Sequence, residues 1–380
     1  MQTLLHNGKI LIGEDFIENK AVLIKDGKIA AIFDKNNYQK QYTDHYIDLN
    51  KGYLAPGFID LQVNGGGGVL FNNAPTVATL QTMMRAHRRF GTTVMLPTLI
   101  SDSLPVMQQA INAVRDAIAE GVSGIIGIHL EGPYLAASHK GTHDARHFRV
   151  PDEAEIRRVT SLDNGVTLIT LAPECVPIHV IKDIIARGAR VAVGHSAATY
   201  EAIRAGLNTG ISGFTHLYNA MTPLHSREPG VVGAALEDRH SWCGIIVDGV
   251  HVHPASLRVA LAAKPRGKVI LVTDAMPVVG ADHPHFNLYG ESIRVIDGVV
   301  RNAAGALAGS ALDMATAVRN TVNWLNVPLA ESLRMASTYP AQALGLDHQY
   351  GCIAPGYRAD LVLLDKALQV KKTWINGQCE

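Results

Sequence analysis

The feature that most constrains the fold is a rhythm: eight short apolar runs, each ending in polar residues, spaced by segments long enough for a helix. The runs fall at 58–64, 93–98, 125–131, 166–173, 190–195, 213–218, 244–248 and 268–274. Strands that alternate with helix-length segments build βα units, and such units lay their strands parallel. Gly91, Gly121 and Gly188 stand where a left-handed residue would stop a helix. Eight units suit a closed (β/α)8 barrel, which takes about 250 residues, better than an open doubly wound sheet. The run Gly65 to Gly68 lacks the Gly-x-Gly-x-x-Gly spacing of a dinucleotide site and reads as a loop.

Outside this stretch the texture changes. Residues 21–25 and 28–33 are β-type runs joined by Asp26-Gly27, a hairpin signal because both central residues of such a turn need positive φ. Asn7-Gly8 marks an earlier turn. Residues 359–364 and 372–375 repeat the pattern, and Asn376-Gly377 closes another turn. The expected organisation is α/β: a (β/α)8 TIM-like catalytic barrel at 54–348 and a small β-sandwich domain at 1–53 and 349–380.

Charge narrows the function classes. With 34 Lys+Arg against 34 Asp+Glu the chain has no net charge, which excludes a general electrostatic hold on nucleic acid or anionic membrane. An anionic ligand must then be met by a few local groups. The N-terminus lacks a basic segment followed by a long apolar one, and no window nears the roughly 18 apolar residues of a membrane span, so the expectation is a soluble, cytoplasmic protein. Cys175, Cys243, Cys352 and Cys379 are scattered, without the spacing of a disulfide framework or thiolate zinc site, and are expected reduced. The 17 histidines stand out more, because neutral imidazole is the commonest metal ligand.

Catalytic groups of a (β/α)8 barrel gather where the strands end. Here those positions hold Asp60, Gln62, Asn64, His129, Glu131, Glu174, His195, His216, Asn219, Asp248, His251 and Asp274. A lone histidine at a strand end is ordinarily structural; the recurrence is what counts. Glu131 with His195 and His216 makes the two-imidazole, one-carboxylate set that holds a divalent ion and leaves a position open for water. Asp274, from the last strand, stands as a general base that takes a proton from water and returns it to a leaving group. His251-Val252-His253 has metal-like spacing, but Pro254 ends the strand, so His251 reads as a substrate contact able to orient a bound carbonyl. His283-Pro284-His285 has no companion carboxylate and reads as loop.

Longer motifs point further. They are Ala55-Pro56-Gly57-Phe58-Ile59-Asp60, His129-Leu130-Glu131-Gly132-Pro133, Lys140-Gly141-Thr142-His143 and Gly194-His195-Ser196, then Thr215-His216-Leu217-Tyr218-Asn219-Ala220-Met221 and Arg227-Glu228-Pro229-Gly230. Asp248-Gly249-Val250-His251, Val272-Thr273-Asp274-Ala275 and Ala359-Asp360-Leu361 complete the set. On these motifs the chain, over essentially its whole length, resembles the amidohydrolase superfamily and, within it, the N-acetylglucosamine-6-phosphate deacetylases. One departure is that Gln62 and Asn64 replace the usual His-x-His of the first strand. Neutral amides are poor ligands for a borderline metal, so one ion is expected rather than two.

The resemblance implies metal-dependent hydrolysis of the acetamide of N-acetylglucosamine 6-phosphate to glucosamine 6-phosphate and acetate, in amino-sugar catabolism. It implies one divalent ion per subunit, zinc first, with iron, cobalt or manganese accepted by the same donors. It assigns Arg227, His251, Asn219 and Ala220 to the phosphorylated ligand, Thr142 and His143 to sugar hydroxyls, and Leu307, Ala308 and Gly309 to the acetyl side. A homodimer or homotetramer in which Arg227 reaches a neighbouring site also follows. The galacto epimer, another amidohydrolase substrate and a non-catalytic scaffold stay open as alternatives.

Overall fold

All eight expected barrel strands form in the computed structural model, which describes residues 2–34 and 43–379. They are β1 (Phe58–Val63), β2 (Thr92–Ile100), β3 (Gly127–Glu131), β4 (Val166–Leu171), β5 (Arg190–Val193), β6 (Gly213–Phe214), β7 (Trp242–Ile245) and β8 (Val269–Leu271). They pair in sequence order, parallel throughout. The ring closes beyond β8, where Val63 bridges Ala275, the Asp274 N–H donates to the Gln62 carbonyl at 3.0 Å and the Asn64 N–H to that of Ala275 at 2.9 Å. Strands covered on both faces need apolar residues at nearly every position, and this is why the sequence shows continuous runs rather than alternation.

Eight helices follow the strands: α1 (Val77–Arg88), α2 (Leu104–Ala119), α3 (Glu153–Val159), α4 (Ile178–Ala186), α5 (Tyr200–Leu207), α6 (Gly230–Glu237), α7 (Pro254–Ala263) and α8 (Met314–Leu325). In α1 the Thr76 hydroxyl accepts from the Thr79 N–H, and Leu80, Met83, Met84 and His87 share the buried face. Fully burying a side chain such as Leu80 or Met83 contributes about 1.5–3 kcal/mol. Gly91, Gly121 and Gly188 have φ of 84, 75 and 93°, as their reading as helix stops requires.

The termini build two further sheets. Gln2–His6, Lys20–Lys25, Lys28–Asp34 and His45–Asp48 form one. Lys9–Ile12, Asp15–Ile17, Tyr53–Pro56, Leu361–Leu364, Val370–Ile375 and Gln378–Cys379 form the other. Asp26-Gly27 and Asn376-Gly377 both take positive φ at the two central turn positions. Leu5, Ile10, Val22, Leu54, Leu361 and Trp374 fill the core between them. Of the expected small domain, residues 1, 35–42 and 380 lie outside the described residues.

Two loop readings need correction. His285 opens the first strand of a three-stranded antiparallel insertion, His285–Leu288, Glu291–Ile296 and Val299–Arg301, because Phe286 and Leu288 bury themselves against Met276, Ile293 and Val300. The glycine run also holds a short ladder, with Gly65–Gly66 paired to Val69–Leu70 around left-handed Gly67 and Gly68.

Candidate active site

Each group at the barrel mouth owes its position to how its strand ends. Glu131 is the last residue of β3, whereas His195, His216 and Asp274 lie two or three residues beyond β5, β6 and β8. Those three have φ of 49, 32 and 52°. Left-handed backbone is strained for residues with a Cβ and persists where surrounding bonds enforce it. The Ser310 N–H donates to the Asp274 carbonyl at 2.9 Å, and the Ala136 N–H to that of His195 at 3.0 Å. Beside His195, Glu174 accepts from the Ser196 hydroxyl at 2.8 Å and the Ala197 N–H at 2.6 Å.

Glu131 Oε1 lies 3.1 Å from His195 Nε2 and 3.0 Å from His216 Nε2, and the two Nε2 atoms are 3.1 Å apart. All three side chains are buried. His195 Nδ1 donates to the His139 carbonyl at 2.8 Å, so the neutral ring turns the lone pair of Nε2 toward the other two ligand atoms. Lone pairs converging at this distance repel unless a cation lies among them. A tetrahedral ion with bonds of about 2.0–2.1 Å separates its ligands by about 3.3 Å. The donor set therefore fits one divalent ion, and among the described residues it is the single cluster of three or more metal-ligating groups.

Gln62 and Asn64 do something other than ligate. Gln62 Nε2 donates to Glu131 Oε1 and Oε2 at 3.2 and 3.1 Å and to Asp274 Oδ1 at 3.2 Å, and Asn64 Nδ2 donates to the same Oδ1 at 2.6 Å. Their N–H groups face the carboxylates, the polarity opposite to what a second cation would require. They hold Asp274 beside the cluster that can take the ion. Burial, then the charge of Glu131, pushes the Asp274 carboxyl up to about 6, against the pull of His216, His251 and Asn64.

A cavity of roughly 440 Å³ opens over these groups. Thr142, His143, Asn219, Ala220, His251, Leu307 and Gly309 line it together with Glu131, His195, His216 and Asp274. His251 Nδ1 pairs with Asp248 Oδ2 at 2.6 Å, and His253 instead caps α7 by accepting from the Ala255 N–H at 3.1 Å. Two residues named from the sequence lie elsewhere. Ala308 is buried in the apolar cluster with Met276 and Phe286, and Arg227 is exposed on the segment between β6 and α6. Glu237 pairs with Arg204 at 3.5 Å. Ile100, Ser138, His139, Met276 and Ala306 also line the cavity, and no spacing in the sequence marks them.

Residues 53–379 match the model of the amidohydrolase family. The chain is 45% identical to the N-acetylgalactosamine-6-phosphate deacetylase of Shewanella sp. (strain ANA-3), over 97% of this chain and 94% of that relative. The crystal structure of the N-acetylglucosamine-6-phosphate deacetylase of Pasteurella multocida superposes with a TM-score of 0.96 at 36% identity, covering all of both chains. The structure of a mutant N-acetyl-D-glucosamine-6-phosphate deacetylase of Mycobacterium smegmatis, in complex with N-acetyl-D-glucosamine-6-phosphate, does so at 0.91 and 31%, over 100% of this chain and 99% of that one. Among the described residues no helix is long and apolar enough to cross a membrane. Similarity that runs through barrel and terminal strands alike makes the chain an enzyme of the amidohydrolase family, among its N-acetylhexosamine-6-phosphate deacetylases.

Proposed function

We propose that the protein hydrolyses the acetamide of an N-acetylhexosamine 6-phosphate, releasing acetate and the amino-sugar phosphate, with one divalent ion held by Glu131, His195 and His216. The observation that carries this reading is the convergence of those three ligand atoms beside Asp274 on one cavity wall. The donors suit zinc, and iron, cobalt or manganese are also compatible with them. When bound, such an ion lowers the pKa of water and polarises a carbonyl.

Asp274, anchored by Asn64 and Gln62, takes the proton of the attacking water and hands it to the leaving nitrogen. A buried carboxylate held by two side-chain amides is placed to take a proton and return it within one turnover. His251, fixed by Asp248, orients the substrate from the opposite wall. Thr142 and His143 meet sugar hydroxyls. Leu307, Ala308 and Gly309 supply the acetyl side, Ala308 by backing the wall. Asn219, Ala220 and the partner subunit's Arg227 take the phosphate in a homodimer or homotetramer, since a chain without net charge must bind it locally. The barrel at 54–348 carries the chemistry, and the unit at 1–53 and 349–380 supports it. A phosphorylated sugar does not cross membranes unaided, which puts the reaction in the cytoplasm.

The motifs suggest the gluco epimer as substrate. The galacto epimer is favoured by a separate observation: identity is 45% to the Shewanella galactosamine enzyme against 36% to the Pasteurella glucosamine enzyme. The test is acetate release by the zinc-loaded protein from both 6-phosphates and from the unphosphorylated sugars. Turnover of the 6-phosphates, faster for the galacto epimer, is expected. Equal rates without phosphate would sink the phosphate reading, and no turnover with the ion bound would favour a scaffold.

A further inference from the structure

Ser101 follows β2 directly and is 1% exposed. Its backbone N–H donates to His143 Nδ1 at 3.2 Å, and its hydroxyl lies 2.8 Å from the same atom. A backbone N–H can only donate, so Nδ1 is an acceptor and, in the neutral ring, the proton sits on Nε2. No hydrogen bond engages Nε2 among the described residues, and the ring lines the cavity. Because Nδ1 accepts from a backbone N–H it carries no proton, and the ring is neutral with its one donor on Nε2.

The other side of Ser101 is held by the insertion after β8. Tyr289 sits on the turn between His285–Leu288 and Glu291–Ile296, with φ of 50° followed by 84° at Gly290. Its hydroxyl donates to the Ser101 carbonyl at 2.5 Å across 188 residues of sequence. Phe286 and Leu288 pack in the same cluster as Ile100, the residue before Ser101, and Asn73 Nδ2 donates to the Asn287 carbonyl at 2.8 Å. The insertion is thus fastened to the end of β2 by an apolar contact and a phenol, and to the segment before α1 by the Asn73 amide.

We propose that Ser101 and Tyr289 are positioning residues that commit His143 to donating a hydrogen bond from Nε2 to a substrate oxygen, and that the insertion is the clamp that holds this arrangement. With Nδ1 pinned, a ring flip would lose both bonds, and a switch of tautomer would lose the one from the Ser101 N–H, which can only donate. A donor on Nε2 makes the sugar hydroxyl it meets an acceptor and leaves that hydroxyl's proton for another partner, whereas an acceptor there would turn the hydroxyl the opposite way. The assignment rests on His143 touching substrate, as in the function proposed above.

The test compares zinc-loaded wild type with Ser101→Ala, Tyr289→Phe and His143→Ala. It measures kcat and KM for acetate release, bound zinc, and the 15N shifts of histidine-labelled protein, with His143 assigned by its absence from His143→Ala. The expected result is an Nε2–H tautomer in the wild type. Ser101→Ala keeps the backbone N–H, and so the Nε2–H tautomer, but loses the hydroxyl that holds the ring, whereas Tyr289→Phe loosens the residue that carries that N–H and should admit the Nδ1–H tautomer; both should lose about 10-fold or more in kcat/KM at full zinc content. His143→Ala should lose at least as much. An Nδ1–H tautomer in the wild type overturns the proposal. So do Ser101→Ala and Tyr289→Phe enzymes whose rate and tautomer are unchanged, or whose rate falls only with their zinc. If those two are unchanged while His143→Ala is crippled, the clamp alone fails. If His143→Ala itself turns over normally, the reading of His143 as a substrate contact fails with it.

Discussion

Asp60, in β1, accepts from the Thr273 hydroxyl at 2.5 Å and from the Gln62 N–H at 3.2 Å, with no solvent contact. Burial raises its carboxyl from an ordinary 3.8 to about 7, more than these bonds lower it. The folded chain therefore keeps, between pH 3.8 and about 7, a proton that the unfolded chain has released. The resulting stability is fully present below 3.8 and is lost as pH rises through about 7. Relative to Asp60→Asn, the wild type should lose stability with rising pH at up to about 1.4 kcal/mol per unit in that window. Urea unfolding of both proteins from pH 4.5 to 7.5 measures this, and parallel profiles would refute it. Asp274→Asn keeps the three side chains that can hold the ion and removes the proposed proton acceptor, so acetate release should fall at least about 100-fold while bound zinc stays near one per chain. Loss of zinc in step with activity would instead make Asp274 a ligand. That Glu131, His195, His216 and Asp274 gather at one mouth was legible in the sequence because a barrel brings its strand ends together and the strands announce themselves. The amide orientations of Gln62 and Asn64 were not, since a sequence shows that two imidazoles are missing but not which way their replacements turn. The left-handed φ of His195 and His216 was equally hidden, because the bonds that enforce it come from distant residues.

The strands themselves tolerate little change of register, and β3 shows why. Gly127 opens it opposite Val166 of β4, and a Cβ there would lie 2.0 Å from the Val166 carbonyl oxygen and 2.7 Å from its nitrogen. The obstacle is backbone, which cannot rotate aside as a side chain would, so one strand must shift. Four residues on, β3 delivers Glu131. Gly127→Ala should cost about 1–3 kcal/mol of stability and also lower acetate release per folded molecule, because the shift reaches Glu131, a proposed metal ligand. Denaturant midpoints and specific activity test the two parts separately; a variant as stable and active as the wild type would show that β3 is not so constrained. At this scale the sequence was most readable where elements are long or punctuated: the eight runs, the glycine stops and the Asp26-Gly27 and Asn376-Gly377 turns. It failed at 65–70 and at His285, where two- to four-residue strands exist through partners supplied by the fold.

The terminal sheets meet the barrel at the end where its strands begin, opposite the site, and four charges close that seam. Glu14, between Lys9–Ile12 and Asp15–Ile17, pairs with Arg266 Nη1 at 3.0 Å and Arg334 Nη1 at 3.2 Å. Glu331, on the helix Leu329–Met335, pairs with Arg266 Nε at 3.0 Å and with Arg334 Nη2, and accepts from the Tyr339 hydroxyl at 2.9 Å. The members differ in burial, with side-chain exposure of 64% for Glu14 and 56% for Arg266 against 19% for Glu331 and 6% for Arg334. Exposed pairs contribute little, whereas a buried guanidinium stripped of its carboxylate is costly. Glu331→Ala leaves buried Arg334 only the exposed Glu14 and should therefore destabilise the molecule by about 1–3 kcal/mol, whereas Glu14→Ala should change little because Arg334 keeps Glu331. Replacing the buried pair together, Glu331→Leu with Arg334→Met, should recover most of the loss, since no charge is then left alone. Acetate release per folded molecule should be unchanged in every case, because the seam touches no residue of the cavity. Denaturant unfolding of the four proteins decides it: equal losses for Glu331→Ala and Glu14→Ala would mean that burial does not set the strength of this seam.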